Sequence, residues 1–253
     1  MCGRYLITTA PEAMRRLFRY PEQPNFPARY NVAPTQPIPI VRLTEGERHF
    51  ALVRWGLIPA WVKDPKAFSL ILQARSDSVI DKPSFRNAMK RRRCLIPADG
   101  FYEWNEDSTP RRPYVVRPRD GGPVAFAGLW ECWMGPNGEE LETAAIITTD
   151  ANRALHPIHH RMPVVVPPDA FDFWLDCAKV DALTAAALLV PAPDDLFEAY
   201  EISSAVNRVT NDTAALLQPV TDEQIAAQAA SEKSAPAQRA KKPKTDERQS
   251  SLF

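Results

Sequence analysis

Cys94-Leu95-Ile96-Pro97-Ala98-Asp99-Gly100-Phe101-Tyr102-Glu103-Trp104 is the stretch that decides how this chain is built. Its first four residues are a short apolar run that suits a strand, Asp99-Gly100 makes a turn, and the aromatic-rich run after it is a second strand. Alternation puts Phe101 and Glu103 on one face of that strand and Tyr102 and Trp104 on the other. Strands and turns repeat on both sides. Before it, Ile38–Leu43 and Phe50–Trp55 pair around Thr44-Glu45-Gly46-Glu47. After it, Tyr114–Arg117, Val124–Trp130 and Glu142–Thr149 extend a largely antiparallel set, with Asn137-Gly138 marking the hairpin between the last two. Residues 4–8 suit a strand. Thr9 as cap and Pro11 in the first turn predict a short helix with Met14, Leu17 and Phe18 on its apolar face. Residues 21–37, with five prolines, and residues 56–66 read as loops. Ser84–Lys90, Pro168–Leu175 and Asp181–Leu189 read as short helices, and Val164–Val166 and Tyr200–Ile202 as late strands. The 25 prolines against 9 glycines fit a loop-rich sheet better than a helical bundle. The expected fold is a single α+β domain over residues 2–220, mostly antiparallel sheet with helices at its edges. From about residue 221 the chain turns to Ala, Gln, Ser, Lys and Glu, which predicts a disordered tail over residues 221–253.

Composition limits the function. Lys plus Arg equals Asp plus Glu at 31 each, so bulk charge names no partner and local clusters must carry any nucleic-acid argument. The cysteines (Cys2, Cys94, Cys132, Cys177) have no CxxC spacing, and with His49, His156, His159 and His160 they make no zinc pattern. No metal or cofactor is expected. Phosphate-loop, dinucleotide and nucleophile-elbow motifs are absent. The N-terminus has no apolar signal core, and no stretch approaches the roughly 20 apolar residues of a spanning helix, so a cytoplasmic protein with reduced thiols is expected.

Three features can carry chemistry. Trimming of Met1 would give Cys2 a free α-amine (ordinary pKa roughly 7.7–8.0) and a thiol (roughly 8.5) on one carbon. That 1,2-aminothiol condenses with an aldehyde to a Schiff base, and the thiol then closes a five-membered thiazolidine. Glu103, among Phe101, Tyr102 and Trp104, is either a desolvated carboxyl suited to acid/base work or a strand residue facing water. His159, between Pro157 and Pro163, is either a proton carrier or a structural histidine. Arg4, Arg54, Arg75, Arg86 and Arg91–Arg93 lie near aromatics, and Trp61 could stack on a base, the mix expected of a single-strand groove.

Taken in order, Met1-Cys2-Gly3-Arg4, Tyr30-Asn31-Val32-Ala33-Pro34, Trp55-Gly56-Leu57-Ile58-Pro59-Ala60-Trp61, Ala74-Arg75, Pro97 to Trp104, Ile147-Thr148-Thr149 and Ile158-His159-His160-Arg161-Met162-Pro163 resemble the SRAP family (SOS-response-associated peptidase). The resemblance runs from residue 2 to about 220 and implies a barrel-like core. It implies binding to abasic sites in single-stranded DNA, with a covalent thiazolidine link through Cys2 that shields the lesion during the damage response. It implies Cys2 as nucleophile, Glu103 as catalytic carboxyl, His159 as active-site histidine and Gln73 as the amide at the thiazolidine. Arg4, Arg75 and Arg161 then match phosphate contacts, and Trp61, Pro34 and Asn31 lie in motifs that pack against DNA. Three positions depart from the pattern: Gln73 replaces the usual Asn, Asp77 shortens the acidic side chain that follows, and His160 stands where Asp or Asn often follows the histidine.

The last five residues, Gln249-Ser250-Ser251-Leu252-Phe253, resemble the Gln-x-x-Leu-Phe motif by which bacterial proteins dock on the β sliding clamp. Expected partners are therefore abasic single-stranded DNA and the clamp, with the protein a monomer, nucleoid-associated when on DNA. Two other readings compete: an N-terminal-nucleophile peptidase that removes its own Met1, and a non-covalent single-strand binder.

Overall fold

The computed structural model describes residues 3–221. Cys2 and the expected tail, with Gln249, Leu252 and Phe253, lie outside the described residues. The fold is α+β and mostly antiparallel, and the chain up to Pro219 forms one compact unit. In chain order the strands are β1 (Arg4–Ile7), β2 (Arg29–Val32), β3 (Pro37–Thr44), β4 (Glu47–Trp55), β5 (Gln73–Arg75), β6 (Arg93–Ala98), β7 (Gly100–Trp104), β8 (Pro113–Pro118), β9 (Val124–Met134), β10 (Glu140–Asp150), β11 (Arg161–Pro163), β12 (Val165–Val166) and β13 (Phe197–Glu201). The helices are short and peripheral: α1 (Pro11–Phe18), α2 (Arg86–Arg91), α3 (Phe171–Leu175) and α4 (Ala182–Ala185). Among the described residues no helix is long and apolar enough to cross a membrane.

Five strands close into a barrel. β10, β4, β3, β6 and β9 pair in that order, and β9 pairs back on β10. Closure leaves the ring without a free edge, and its walls supply Ile40, Val53, Leu95, Leu129 and Ile146 to the main apolar core. β3 and β4 join through Glu45-Gly46, both at positive φ (53° and 86°), the mirror-image turn that matches strand twist. Gly128 sits where β9 is hydrogen-bonded to β6 on one side and β10 on the other. A Cβ there would come within 2.8 Å of Cys94 Sγ and of two Ile96 carbons. Gly128→Ala is therefore expected to destabilise the barrel by about 1–3 kcal/mol, read as a lowered urea midpoint.

The second sheet, β13-β8-β7-β1-β2, is open and antiparallel. It shares the opening stretch with the barrel, since β6 passes into β7 through Asp99 alone. Gly100 allows the tight crossing: a Cβ there would lie 2.5 Å from the Val116 carbonyl oxygen. Asp99 corrects the expected cap of α1. Its carboxylate accepts from the Thr8 and Thr9 amides and the Thr9 hydroxyl, so Thr9 holds the corner, and the N-cap is Ala10 with no side-chain bond. The expected loop 21–37 contains β2. Asp212 accepts from the amides of Tyr30 (2.5 Å) and Asn31 (2.9 Å), so a distant carboxylate satisfies this edge strand.

β10 organises the end of the barrel that carries the candidate site. Beyond its pairing with β4 it continues beside β5 in parallel, Thr148 opposite Arg75. Beyond its pairing with β9 it continues beside β11, Thr148 opposite Pro163. Val164 bridges this split: its amide donates to Ile147 O, and its carbonyl accepts from Ala127 N–H, each at 2.9 Å. The segment that follows His159 thus fills the split between β9 and β10 at this end of the barrel.

Candidate functional site

Alternation along β7 is as the sequence predicts. Phe101 meets Phe126 and Phe197 edge-to-face in the main core. Tyr102 and Trp104 face the other way, Tyr102 donating its hydroxyl to Tyr30 O (2.6 Å) and Trp104 its indole N–H to Asn207 (2.8 Å). Glu103 follows Phe101 on the inner face and is only 3 % exposed, so it does not face water. Burial favours the uncharged carboxyl and pushes its pKa up to about 7. β1 pairs with β7 at Arg4–Tyr102 and Tyr5–Phe101. One further step of that register brings Gly3 level with Glu103.

His159 ends a turn held by Asn152, whose side chain accepts from Leu155 N–H and donates to the carbonyls of Ala192 and Pro193. The ring is 6 % exposed, and its Nδ1 accepts the Arg161 amide at 2.9 Å. A neutral imidazole that accepts at Nδ1 carries its proton on Nε2. Nε2 lies 3.1 Å from Glu106 Oε1 and 4.0 Å from Glu103 Oε2. Burial pushes the His159 pKa down to about 4, so at neutral pH the ring is an uncharged donor. The pair thus departs from its behaviour in water. Near pH 6 both side chains are mostly uncharged, Glu103 as an acid with a proton to give and His159 as an N–H donor.

Gln73 on β5 lines a groove of about 510 Å³ with Gly3, Leu72, Arg75, Lys82 and Ser84. Arg75 is exposed and paired with Asp77 at 2.6 Å. Trp61 stands out at 58 % exposure, edge-to-face with Phe68, and Pro34 is half-buried.

Three residues expected at phosphate or DNA make hydrogen bonds within the protein. Arg161 is 4 % exposed and donates to Asp150 (2.7 Å) and Thr148 O (2.5 Å), tying β11 to β10. Asn31 is fully buried, and its amide donates to the carbonyls of Val206, Arg208 and Asn211. Arg4 is half-buried and donates to Asn31 and the Val206 and Asn207 carbonyls. Asn31 and Arg4 therefore hold the 206–211 loop through its carbonyls.

Glu106 and His160 were not among the expected site residues. Glu106 accepts from both adjacent histidines, at 3.1 Å and, from His160 Nδ1, 2.7 Å. These three donor atoms lie within 4.8 Å of one another, close enough to share a cation. A metal would need the Nε2 lone pair of His159, and the Arg161 amide on Nδ1 places a proton there, so the geometry suits proton sharing rather than ligation. The cysteines among the described residues do not compete as nucleophiles. Burial pushes the Cys94 thiol far above its usual range and raises Cys132, and Cys177 is not among the residues lining the groove beside Gly3.

Comparison with known proteins places the chain in a family. The family model SRAP, SOS response associated peptidase, matches residues 1–209. The abasic site processing protein YoaM of Bacillus subtilis is 37 % identical over 221 residues, covering 86 % of this chain and 97 % of that one. The chicken abasic site processing protein HMCES is 32 % identical over 264 residues, covering 87 % of this chain and 78 % of its own. A crystal structure of a Bacteroides thetaiotaomicron protein superposes with a TM-score of 0.77 at 27 % identity, covering 87 % of this chain and all of that one. With a family model spanning most of its length and relatives more than 30 % identical over most of both chains, this chain belongs to the SRAP family.

Proposed function

We propose that this protein processes abasic sites in single-stranded DNA by forming a covalent thiazolidine through Cys2 after removal of Met1. The names of its relatives support abasic sites as the substrate class. The observation that supports the chemistry is the buried Glu103–His159 pair, with Glu103 one residue beyond the Arg4–Tyr102 pairing of β1 and β7. Consecutive Cα atoms lie about 3.8 Å apart, so a Cys2 reagent within reach of Glu103 is compatible with the position of Gly3.

An abasic deoxyribose is mostly a closed hemiacetal. Protonated Glu103 gives its proton to O4′ as the C1′–O4′ bond breaks, the C1′ hydroxyl gives one up to water as the aldehyde forms, and the His159 Nε2–H, shared with the Glu106 carboxylate, polarises the reacting oxygen. The Cys2 amine adds to C1′ and one water leaves, giving the imine. The thiolate adds across the C=N bond, forming C–S, and a proton goes to nitrogen. The product is the sum of protein and DNA less one water. Arg75 and Lys82 along the groove suit the phosphate backbone, and Gln73 faces the groove as a polar side chain. By the same reading, Leu252 and Phe253 tether the reaction to the β sliding clamp.

The test is incubation with single-stranded DNA bearing one abasic site, followed by heat denaturation. A heat-stable adduct that is absent in Cys2→Ala is expected. Peptide turnover without adduct would favour the peptidase reading, and salt-sensitive binding without adduct the non-covalent one.

A further inference from the structure

We propose that Glu106, clamped by His160, is a positioning residue for His159: it fixes the Nε2 edge of the buried imidazole and keeps a negative charge against it. Each carboxylate oxygen of Glu106 meets a different ring, His159 Nε2 at 3.1 Å and His160 Nδ1 at 2.7 Å. The carboxylate cannot rotate without losing one of them. The two rings stack at 4.5 Å with an 18° interplanar angle, so His160 braces His159 directly as well. The backbone makes a third tie, Glu106 N–H donating to Ile158 O at 3.2 Å, which locks the end of β7 to the histidine turn.

Among the described residues, the titratable and charged groups facing His159 are Glu103, Glu106, His160 and Arg161. The Arg161 guanidinium is engaged by Asp150 and Thr148, and it meets His159 through its backbone amide. The two carboxyls differ in kind. Burial keeps Glu103 protonated towards neutrality, whereas the bond from His160 holds Glu106 below its ordinary range and therefore ionised. Glu106 is thus the charge that partly offsets the burial of His159. The division of labour is clear: Glu103 exchanges protons, His159 donates, and Glu106 holds the donor in place. Glu106 lies three residues beyond Glu103 and more than fifty before the histidines, and its part depends on the chain folding back.

The proposal rests on the proposed reaction only for its rate effect, so two readouts separate them. The imidazolium fraction of His159 at pH 4, read by nitrogen NMR of the intact protein, reports the Glu106 charge without any DNA. Glu106→Gln keeps an acceptor and removes the charge. It is expected to lower that fraction and to slow adduct formation about tenfold. Glu106→Asp keeps the charge and is expected to fall between the two. An unchanged His159 titration and rate in Glu106→Gln, with a wild-type amide spectrum, would overturn the proposal. If the wild-type protein forms no adduct, the proposed reaction falls, while the titration still decides whether Glu106 sets the state of His159.

Discussion

Glu103→Gln is expected to slow adduct formation by about 10²–10⁴-fold at pH 6 and, in the same protein, to stabilise the fold above neutrality. Both effects have one cause. Glu103 is buried where water cannot solvate a charge, so its carboxyl keeps its proton to about pH 7 instead of releasing it near 4.5. That makes it a competent acid near neutrality, and glutamine has no such proton to give. The same burial makes ionisation costly. A carboxyl whose pKa is raised on folding favours the folded state at low pH, and this advantage is lost as pH rises from 4.5 through about 7. At pH 8 the wild type buries a carboxylate and the variant does not. The variant is then expected to be more stable by up to about 3 kcal/mol, with the difference vanishing near pH 4. His159 has the opposite linkage: its pKa is depressed, so its contribution is present above 6.5 and lost as pH falls through about 4. Between 4.5 and 6.5 the two slopes oppose, and wild-type stability from this pair is flat. Glu103→Gln leaves the His159 slope alone, so its stability falls on acidification through that window. Urea unfolding across pH 4–8 reads the slopes. A variant with unchanged rate, or one less stable at pH 8, would show that Glu103 is structural. Rates are best compared with free cysteine on the same DNA, because the ratio cancels ionisation of the amine. That ratio is expected to shrink above pH 7 as Glu103 loses its proton.

The fold was legible wherever a local rule governs. Period-two alternation placed Phe101, Tyr102 and Glu103 on their correct faces, and the Glu45-Gly46 turn paired β3 with β4. What escaped depended on partners far along the chain. β2 is hidden among prolines because its satisfying carboxylate, Asp212, lies about 180 residues away. Thr9 has the chemistry of a helix cap, but its hydroxyl donates to Asp99 and no helix amide donates to it as a cap. The parallel pairings of β10 with β4 and β5 have no turn to announce them.

The candidate site divides in the same way. Glu103, His159 and Gln73 are recognisable as residue types in motifs, and the structure sets the first two 4.0 Å apart and Gln73 in the groove with Gly3. Arginine and asparagine in a motif look the same whether they hold phosphate or their own backbone. The structure adds that Asn31 and Arg161 are buried and bonded within the protein, whereas Arg75 is exposed and paired with Asp77. Glu106 carries no motif, and only the folded chain brings it to His159 and His160.

Blocking the α-amine of Cys2 is expected to have the largest effect of all, because the proposed reagent is the amine and thiol together. A thiol alone gives an open thiohemiacetal, which reverts on heating, and an amine alone stops at an imine that water hydrolyses. The five-membered ring needs both on one carbon. An N-terminal extension that leaves the Cys2 side chain intact removes the primary amine and spares Glu103, His159 and Gln73. Cys2→Ser keeps the amine and removes the sulfur, and is expected to give no heat-stable product. The most direct measurement is the yield and intact mass of the heat-denatured product from two proteins. One begins at Cys2, and the other carries a short uncleavable peptide before it. The account predicts an adduct of protein plus DNA less one water from the first, and none from the second. An equal yield of heat-stable adduct from the extended protein would contradict it.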